Sequence, residues 1–452
     1  MDFENKTFLV AGAGKSGIGA CNLLRKVNAE VIIYDENENL DVEALKERLD
    51  DPNVSIAVGK LEESLLDEVD VMVISPGIPT REPFVVKVRE ANIPIWSEVE
   101  LAYQVGKGRL VAITGTNGKT TTTSLVGAIM AAHYAHVDVV GNIGNPYTTT
   151  AGDSDESTVT VAEISSFQLE TIVDFKPDVS AILNITPDHL DRHRTMKCYA
   201  DMKFRICENQ EPGEAIVLNY EDSILRDYAT TLDKKIVWFS IKREVPCGVY
   251  LEGDDIVYID DGEKTYVTNK NANNLVGIHN LENIMAAIAI SMNMDVPVGT
   301  IAEAIRTFNA VEHRLEYVDT IDDVIYYNDS KGTNTDASIK AIESMTRPTI
   351  LIAGGYDKNS SFDEWADKFE GKIKCLVLLG QTSEKIADTV RAKGFENIIF
   401  TKSLEEAVEQ SVKNAEPGDT VLLSPACASW GMFKNYEERG DKFKELVKNL
   451  RG

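Results

Sequence analysis

Short apolar runs alternate with amphipathic stretches along the chain. Between Lys6 and about Pro94, strand-like runs at Thr7–Ala11, Val31–Tyr34 and Val71–Ser75 are separated by helical patterns at Gly19–Val27, Val42–Arg48 and Phe84–Glu90. Strands that alternate with helices build a parallel sheet with crossover connections. From about Ser97 to Ala310, the runs Thr158–Ala162 and Val179–Asn184 read as further strands. A stretch rich in Ala, Ile and Met, His279–Met292, reads as a helix. The β/α rhythm restarts at about Val311 with Val324–Asn328, Thr349–Ala353, Cys375–Leu379, Asn397–Phe400 and Thr420–Leu423. The acidic loop Asp153–Glu156 and the stretch Glu252–Lys264 predict surface hairpins. The expectation is an α/β chain in three segments, 1–96, 97–310 and 311–452.

Composition narrows the function classes. At 452 residues the chain is too long for one core. Its 43% apolar and 26% charged residues are ordinary for a soluble globular protein. The net charge of −27 argues against nucleic acid or an anionic membrane as the main partner, since both need a basic face. Anionic small molecules stay open, because local cations or metal ions suffice for them. No apolar run approaches the roughly 20 residues that span a bilayer. The opening Met-Asp-Phe-Glu-Asn-Lys has neither the basic start nor the apolar core of a secretory leader. Six scattered cysteines without a Cys-x-x-Cys pair fit reduced thiols. A cytoplasmic enzyme is expected.

The most informative stretch runs from Arg109 to Thr123. A buried-strand pattern, Leu110–Ile113, breaks at Gly115 and Gly118, and a helix-compatible run opens at Thr120. Such a strand–loop–helix turns backbone N–H groups and the positive end of a helix toward a phosphate. Lys119 adds a charge, and Thr120 offers a hydroxyl to Mg²⁺. The common phosphate-loop pattern would begin with glycine at 113, where Ile113 stands, so this is a shorter variant. A second glycine turn, Gly12-Ala-Gly14-Lys15-Ser16-Gly17, follows the first strand, and Asp35 ends the second. That spacing suits NAD, or any diphosphate carrying a sugar, such as a UDP-type nucleotide. Ser75-Pro-Gly77-Ile-Pro79 follows the third strand, where sheets of this kind bind ligands.

Other chemistry-bearing residues fall at strand ends. Glu163 follows an apolar run and is a candidate Mg²⁺ ligand, with a helix-capping acid as the alternative. In Asn184-Ile-Thr-Pro-Asp-His189-Leu-Asp-Arg-His193 the histidines are four apart, but Leu190 stands where a zinc protease needs Glu, so zinc is set aside. His189 remains a candidate beside phosphate or Mg²⁺; His193 reads as a surface residue. Lys203, by itself, reads as a solvated helix position. His133 and His136 fall in a loop-like stretch. Asn280 and Asn283, three apart, share a helix face, though Asn280 equally suits a cap. Asn328–Asn334, Gly354–Lys358 and Leu423–Trp430 gather donors and carboxylates at further strand ends.

Together these runs resemble the Mur ligase family of cell-wall synthesis enzymes over nearly the whole chain. Thr114-Gly-Thr-Asn-Gly-Lys-Thr120 matches its ATP loop. Gly141-Asn142-Ile-Gly144, Glu163 with Ser165-Ser-Phe-Gln168, Asp188-His189-Leu-Asp191, His279-Asn280 with Asn283, and His313-Arg314 match its central blocks. Asn328-Asp-Ser-Lys331 with Thr333-Asn334, Leu423–Ser429 and Phe433–Gly440 are similar to its D-glutamate-adding member. Gly431 and Trp430 depart from the tail pattern, where an acidic and a smaller apolar residue are usual.

The resemblance implies Rossmann-like domains at both ends and a central P-loop ATPase-like α/β domain. It re-reads the first glycine turn as a UDP-sugar site, with Lys15, Ser16, Asp35, Glu36, Ser75 and Gly77 along the ligand and Asn142 at its carboxylate end. Gly115, Thr116, Asn117, Gly118, Lys119, Thr120, Thr121, Asn280, Asn283, Arg314 and Asp329 would contact ATP. Lys331, Thr333, Lys358, Ser429 and Tyr436 would frame D-glutamate. Thr120 and Glu163 would hold one Mg²⁺. His189 and a side-chain-carbamylated Lys203 would hold a second. The implied reaction joins D-glutamate to UDP-N-acetylmuramoyl-L-alanine through an acyl phosphate. The enzyme would be a monomer that closes on a hinge near Ala310. The alternatives are an NAD-dependent oxidoreductase, a non-enzymatic ATP-binding protein, and a related ligase for another amino acid or for folate.

Overall fold

The computed structural model describes residues 2–142, 145–309, 311–357 and 360–451, with Asp191 described by its backbone alone. Lys358, the Ile143-Gly144 part of the block at 141–144, and the expected hinge at Ala310 lie outside the described residues. The chain packs as two compact units, one of residues 1–272 with 282–306, the other of 273–281 with 307–452.

The first unit holds two of the three sheets among the described residues. Its N-terminal sheet is wholly parallel, in the order Ser55–Val58, Glu30–Asp35, Thr7–Ala11, Val71–Ile74, Ile95–Ser97. The predicted strands Thr7–Ala11, Val31–Tyr34 and Val71–Ser75 are all present, within one residue at each end. The first helix is longer than the pattern showed, Lys15–Lys26, because its opening turn is the glycine loop itself.

In the larger sheet Arg109–Thr114 is the third strand from one edge, between Val179–Ile182 and Thr158–Glu163, with His136–Gly141 at that edge. His136 therefore begins a strand and is not part of a loop. From Val179–Ile182 the sheet continues through Ala215–Asn219 and Lys235–Ser240 into Gly248–Glu252, Asp255–Asp260 and Glu263–Asn269. The last three pair antiparallel, so the expected hairpin at Glu252–Lys264 is the middle of a three-stranded meander. One apolar core joins both sheets, from Phe8 and Trp96 through Tyr147 to Ile182 and Leu218.

The second unit is a sheet in the order Glu316–Ile321, Val324–Asn328, Thr420–Leu423, Thr349–Ala353, Ile373–Leu378, Ile398–Phe400. Its parallel strands fall where the apolar runs predicted them. The antiparallel edge strand Glu316–Ile321 lies outside the predicted runs, because Glu316, Asp319 and Thr320 interrupt its apolar residues and leave no apolar run to read.

Candidate active site

The phosphate-loop sequence folds as its glycines dictate. The buried strand Arg109–Thr114 ends in Gly115 at φ +152° and Gly118 at φ +84°, and the helix Lys119–Ala131 starts at once. Asn184 clasps the loop: its Oδ1 accepts the Asn117 N–H at 2.9 Å, its Nδ2 donates to the Asn117 carbonyl at 3.1 Å, and its own carbonyl accepts the Thr116 N–H at 2.9 Å. Thr120 and Thr121 are buried. A Cβ on Gly118 would lie 2.3 Å from Asn283 Oδ1, which also accepts from Thr122 Oγ1 at 3.3 Å. Gly118→Ala is therefore expected to destabilise the fold by about 1–2 kcal/mol through the left-handed backbone alone. It should weaken nucleotide binding further by displacing Asn283. Thermal unfolding with and without Mg-ATP checks both; an unchanged midpoint and an unchanged ATP-induced shift would refute the claim.

Lys119 and Lys203 meet at one atom. Each Nζ donates to the Gly115 carbonyl at 2.9 Å, and Lys119 donates also to the Thr116 carbonyl at 2.9 Å. Lys203 is 1% exposed, on the helix Met196–Phe204, with its amine 4.6 Å from the Tyr199 ring. The solvated position read from its sequence is thus wrong: the neighbours that bury it come from the phosphate-loop strand, far away in sequence. Burial, then the Lys119 charge, hold the Lys203 amine well below its ordinary pKa.

Glu163 ends the strand next to the loop and is 2% exposed. Its Oε1 accepts from Asn142 Nδ2 at 3.0 Å, while Oε2 is buried with no hydrogen-bond partner among the described residues. Such an orphaned carboxylate oxygen, with a threonine hydroxyl on the adjoining loop, is the hard-oxygen donor set that suits Mg²⁺. A second cation finds less in the side chains as they stand. Among the described residues no three of His, Cys, Asp and Glu cluster to hold a metal, and an amine and an imidazole are poor Mg²⁺ ligands. Carbamylation of Lys203 would supply the missing oxygens.

His189 is half exposed, with φ +51°, and its ring packs 4.9 Å from Phe167. His193 is not a surface residue. It is 7% exposed, with Nε2 2.9 Å from Ser166 Oγ and its ring stacked on Phe167. The four-residue spacing reflected one buried and one open histidine, not two ligands.

The first glycine turn opens on a cavity of about 550 Å³. Lys15, Ser16, Asp35, Glu36, Ser75 and Gly77 all line it, so six of the seven residues assigned to the UDP sugar come together; Asn142 lies instead beside Glu163. Asp35 does structural work there, its carboxylate accepting the Ala13 and Asn37 N–H groups at 2.9 and 3.0 Å. Gly12 needs its φ of +98°, and a Cβ on Gly17 would meet the Gly12 carbonyl at 1.8 Å. Ser75 Oγ is buried without a partner among the described residues.

In the second unit the strand ends gather another group. Asp329, directly after Val324–Asn328, accepts the Leu315 N–H and the Ser424 hydroxyl at 3.2 and 2.7 Å. Burial lifts its carboxyl to about 6, against these bonds and the charge of Arg314. Arg314 Nε is buried without a hydrogen-bond partner among the described residues. Lys331 Nζ lies 5.4 Å over the Tyr436 ring, Ser429 is buried, and Thr333 follows on the same turn. Asn280 is inside the helix Ile278–Met292, its Nδ2 on the Val276 carbonyl at 2.7 Å, so it is not that helix's cap. Trp430, one of the two departures in the tail, is 54% exposed and packs on Tyr356.

Several groups escaped sequence reading. Glu98 and Glu100 are buried on the helix Glu98–Val105. Glu100 accepts the N–H groups of Val173, Asp174 and Phe175. Glu98 accepts from Gln168 Nε2 at 2.8 Å, and burial lifts its carboxyl to about 7. Nothing in their spacing distinguishes them from surface acids.

A phosphate loop, an adjacent buried carboxylate and a glycine-turn cavity within one unit define a nucleotide-dependent enzyme. Three family profiles match the chain: the N-terminal domain of MurD-like Mur ligases over residues 6–97, the Mur ligase middle domain over 113–291, and the Mur ligase glutamate ligase domain over 313–427. The chain belongs to the Mur ligase family, with its three-domain α/β fold. It is 54% identical over 450 residues to the UDP-N-acetylmuramoylalanine–D-glutamate ligase of Lachnospira eligens, and 46% identical over 453 residues to that of Clostridioides difficile, each alignment covering both chains fully. Among solved structures, UDP-N-acetylmuramate-alanine ligase MurC from Thermotoga maritima shares its fold at TM-score 0.61 and 17% identity, over 98% of this chain and 99% of the other. The MurF ligase of Thermotoga maritima, in complex with ADP, does so at TM-score 0.60 and 16% identity, over 99% and 96%.

Proposed function

We propose that the chain is an ATP-dependent ligase that joins D-glutamate to UDP-N-acetylmuramoyl-L-alanine in peptidoglycan precursor synthesis. Full-length identity of 54% to a ligase of that name carries the reading. The carboxylate of the alanine attacks the γ-phosphorus of ATP, ADP leaves, and an acyl phosphate results. The D-glutamate amine then attacks the acyl carbon, loses a proton, and expels phosphate as the amide forms. Positioning and charge neutralisation do the work in such a transfer.

The loop amides and Lys119 hold the β- and γ-phosphates. Lys15, Ser16 and the Ser75–Gly77 turn hold the nucleotide sugar, and Asn142 meets its alanine carboxylate. Arg314 and Asp329 contact ATP, as do Asn280 and Asn283; Lys331, Thr333, Ser429 and Tyr436 frame D-glutamate. Thr120 and Glu163 would hold one Mg²⁺, and His189 with a Lys203 carbamate a second, supplying positive charge against the phosphates. We propose a cytoplasmic, monomeric enzyme; no described helix is long and apolar enough to cross a membrane.

Phosphate release with Mg-ATP tests the function. It is expected to require both UDP-N-acetylmuramoyl-L-alanine and D-glutamate, with L-glutamate and L-lysine inactive. Release with another amino acid would reassign the acceptor; no release under any pair would refute the ligase.

A further inference from the structure

Arg192 joins two parts of the first unit that the reaction uses separately. Its guanidinium forms a two-pronged ion pair with Glu170, Nε to Oε1 and Nη2 to Oε2, each 2.8 Å. Two of the remaining three N–H groups go to backbone: Nη1 donates to the Pro76 carbonyl at 2.8 Å and Nη2 to the Ile78 carbonyl at 3.2 Å. Pro76 and Ile78 line the N-terminal cavity. Glu170 is tied to the same segment, since Thr80 Oγ1 donates to its Oε2 at 3.2 Å. On its other face the guanidinium lies 4.1 Å over the Phe167 ring, which packs on His189 and His193. Arg192 belongs to the short helix Leu190–His193, flanked by left-handed residues, His189 at φ +51° and Arg194 at φ +69°. Side chains other than glycine keep such backbone only where their surroundings enforce it.

We propose that Arg192 is a positioning residue: its bonds to the Pro76 and Ile78 carbonyls and its stacking on Phe167 couple occupancy of the N-terminal cavity to the placement of His189. This rests on the nucleotide-sugar reading of that cavity. A ligand that shifts the Ser75–Pro79 turn moves two acceptors of Arg192. The planar fork, fixed by Glu170, transmits the shift to Phe167 instead of absorbing it.

Truncating Arg192 alone would strand the buried Glu170 carboxylate, so two gentler variants are used. R192K keeps the charge without the fork, and the pair R192Q/E170Q removes both charges at similar volume. The dissociation constant of UDP-N-acetylmuramoyl-L-alanine is measured by calorimetry, with and without Mg²⁺ and a non-hydrolysable ATP analogue. In the unaltered protein the analogue is expected to change that affinity about fivefold or more. In both variants the change falls below about twofold while nucleotide-sugar binding itself persists. Undiminished coupling in both variants overturns the proposal, as does an unaltered protein without coupling. Variants that no longer bind the nucleotide sugar also overturn it, because Arg192 would then only shape the cavity wall. An unaltered protein that binds no nucleotide sugar overturns the underlying reading of the cavity.

Discussion

Lys119→Met is expected to lower turnover by about 10³-fold or more while leaving the fold intact. Methionine keeps the length and much of the volume of the stem, so the substitution removes mainly the charge. Lys119 opens the helix after the loop, and its amine donates to the Gly115 and Thr116 carbonyls at 2.9 Å. Turning onto a phosphate exchanges two hydrogen bonds to neutral carbonyls for stronger ones to an anion. Negative charge on the transferring phosphoryl group changes most on the way to the transition state, so kcat should fall more than ADP affinity. Steady-state kinetics with calorimetric ADP binding separates the two. Turnover within tenfold of the unaltered protein would remove Lys119 from the chemistry.

Lys203→Arg is expected to cost turnover about 10²-fold or more, although it keeps a positive charge. Burial, then the Lys119 charge, hold the Lys203 amine well below its ordinary pKa and so favour its neutral form. A neutral amine adds CO₂ to give a carbamate with release of one proton; a guanidinium does not. A carbamate carbon resonance from ¹³C-bicarbonate, present in the unaltered protein and absent from Lys203→Arg, checks this directly. Full activity in the variant, or no such resonance, would refute the second metal site.

The uncarbamylated protein also carries a stability signature. Between the lowered pKa and the ordinary 10.5, the unfolded chain binds one more proton at Lys203 than the folded chain. Stability therefore rises with pH through that window, by at most about 1.4 kcal/mol per pH unit. Lys203→Met should flatten the slope, as chemical denaturation in CO₂-free buffers across that window would record.

Much of this site was legible because it depends on local backbone geometry. A phosphate loop needs glycines at fixed offsets between a buried strand and a helix, and Gly115, Gly118 and Lys119 state that in seven letters. The glycine turn at Gly12–Gly17 is as local, and six of the seven residues assigned to the nucleotide sugar line one cavity because parallel strands put their ends along one edge. The same turn could not name its ligand: the geometry that admits NAD admits any sugar diphosphate. The family resemblance made that choice.

The sequence by itself determined the α/β rhythm, the strands that carry it, and the phosphate-binding turns, since apolar period and glycine position act over a few residues. Tertiary structure alone decided which polar groups are buried. Lys203 and His193 read like surface residues, and nothing local marks Glu98 as buried, yet each is enclosed by segments distant in the chain; the partly buried Arg192 is likewise held by a distant segment. It also decided the antiparallel edges at Glu316–Ile321 and Glu263–Asn269, where polar residues interrupt the apolar ones and leave no apolar run. Burial is a property of what packs against a residue, and for these groups the packing partners lie too far along the chain for local pattern to record them.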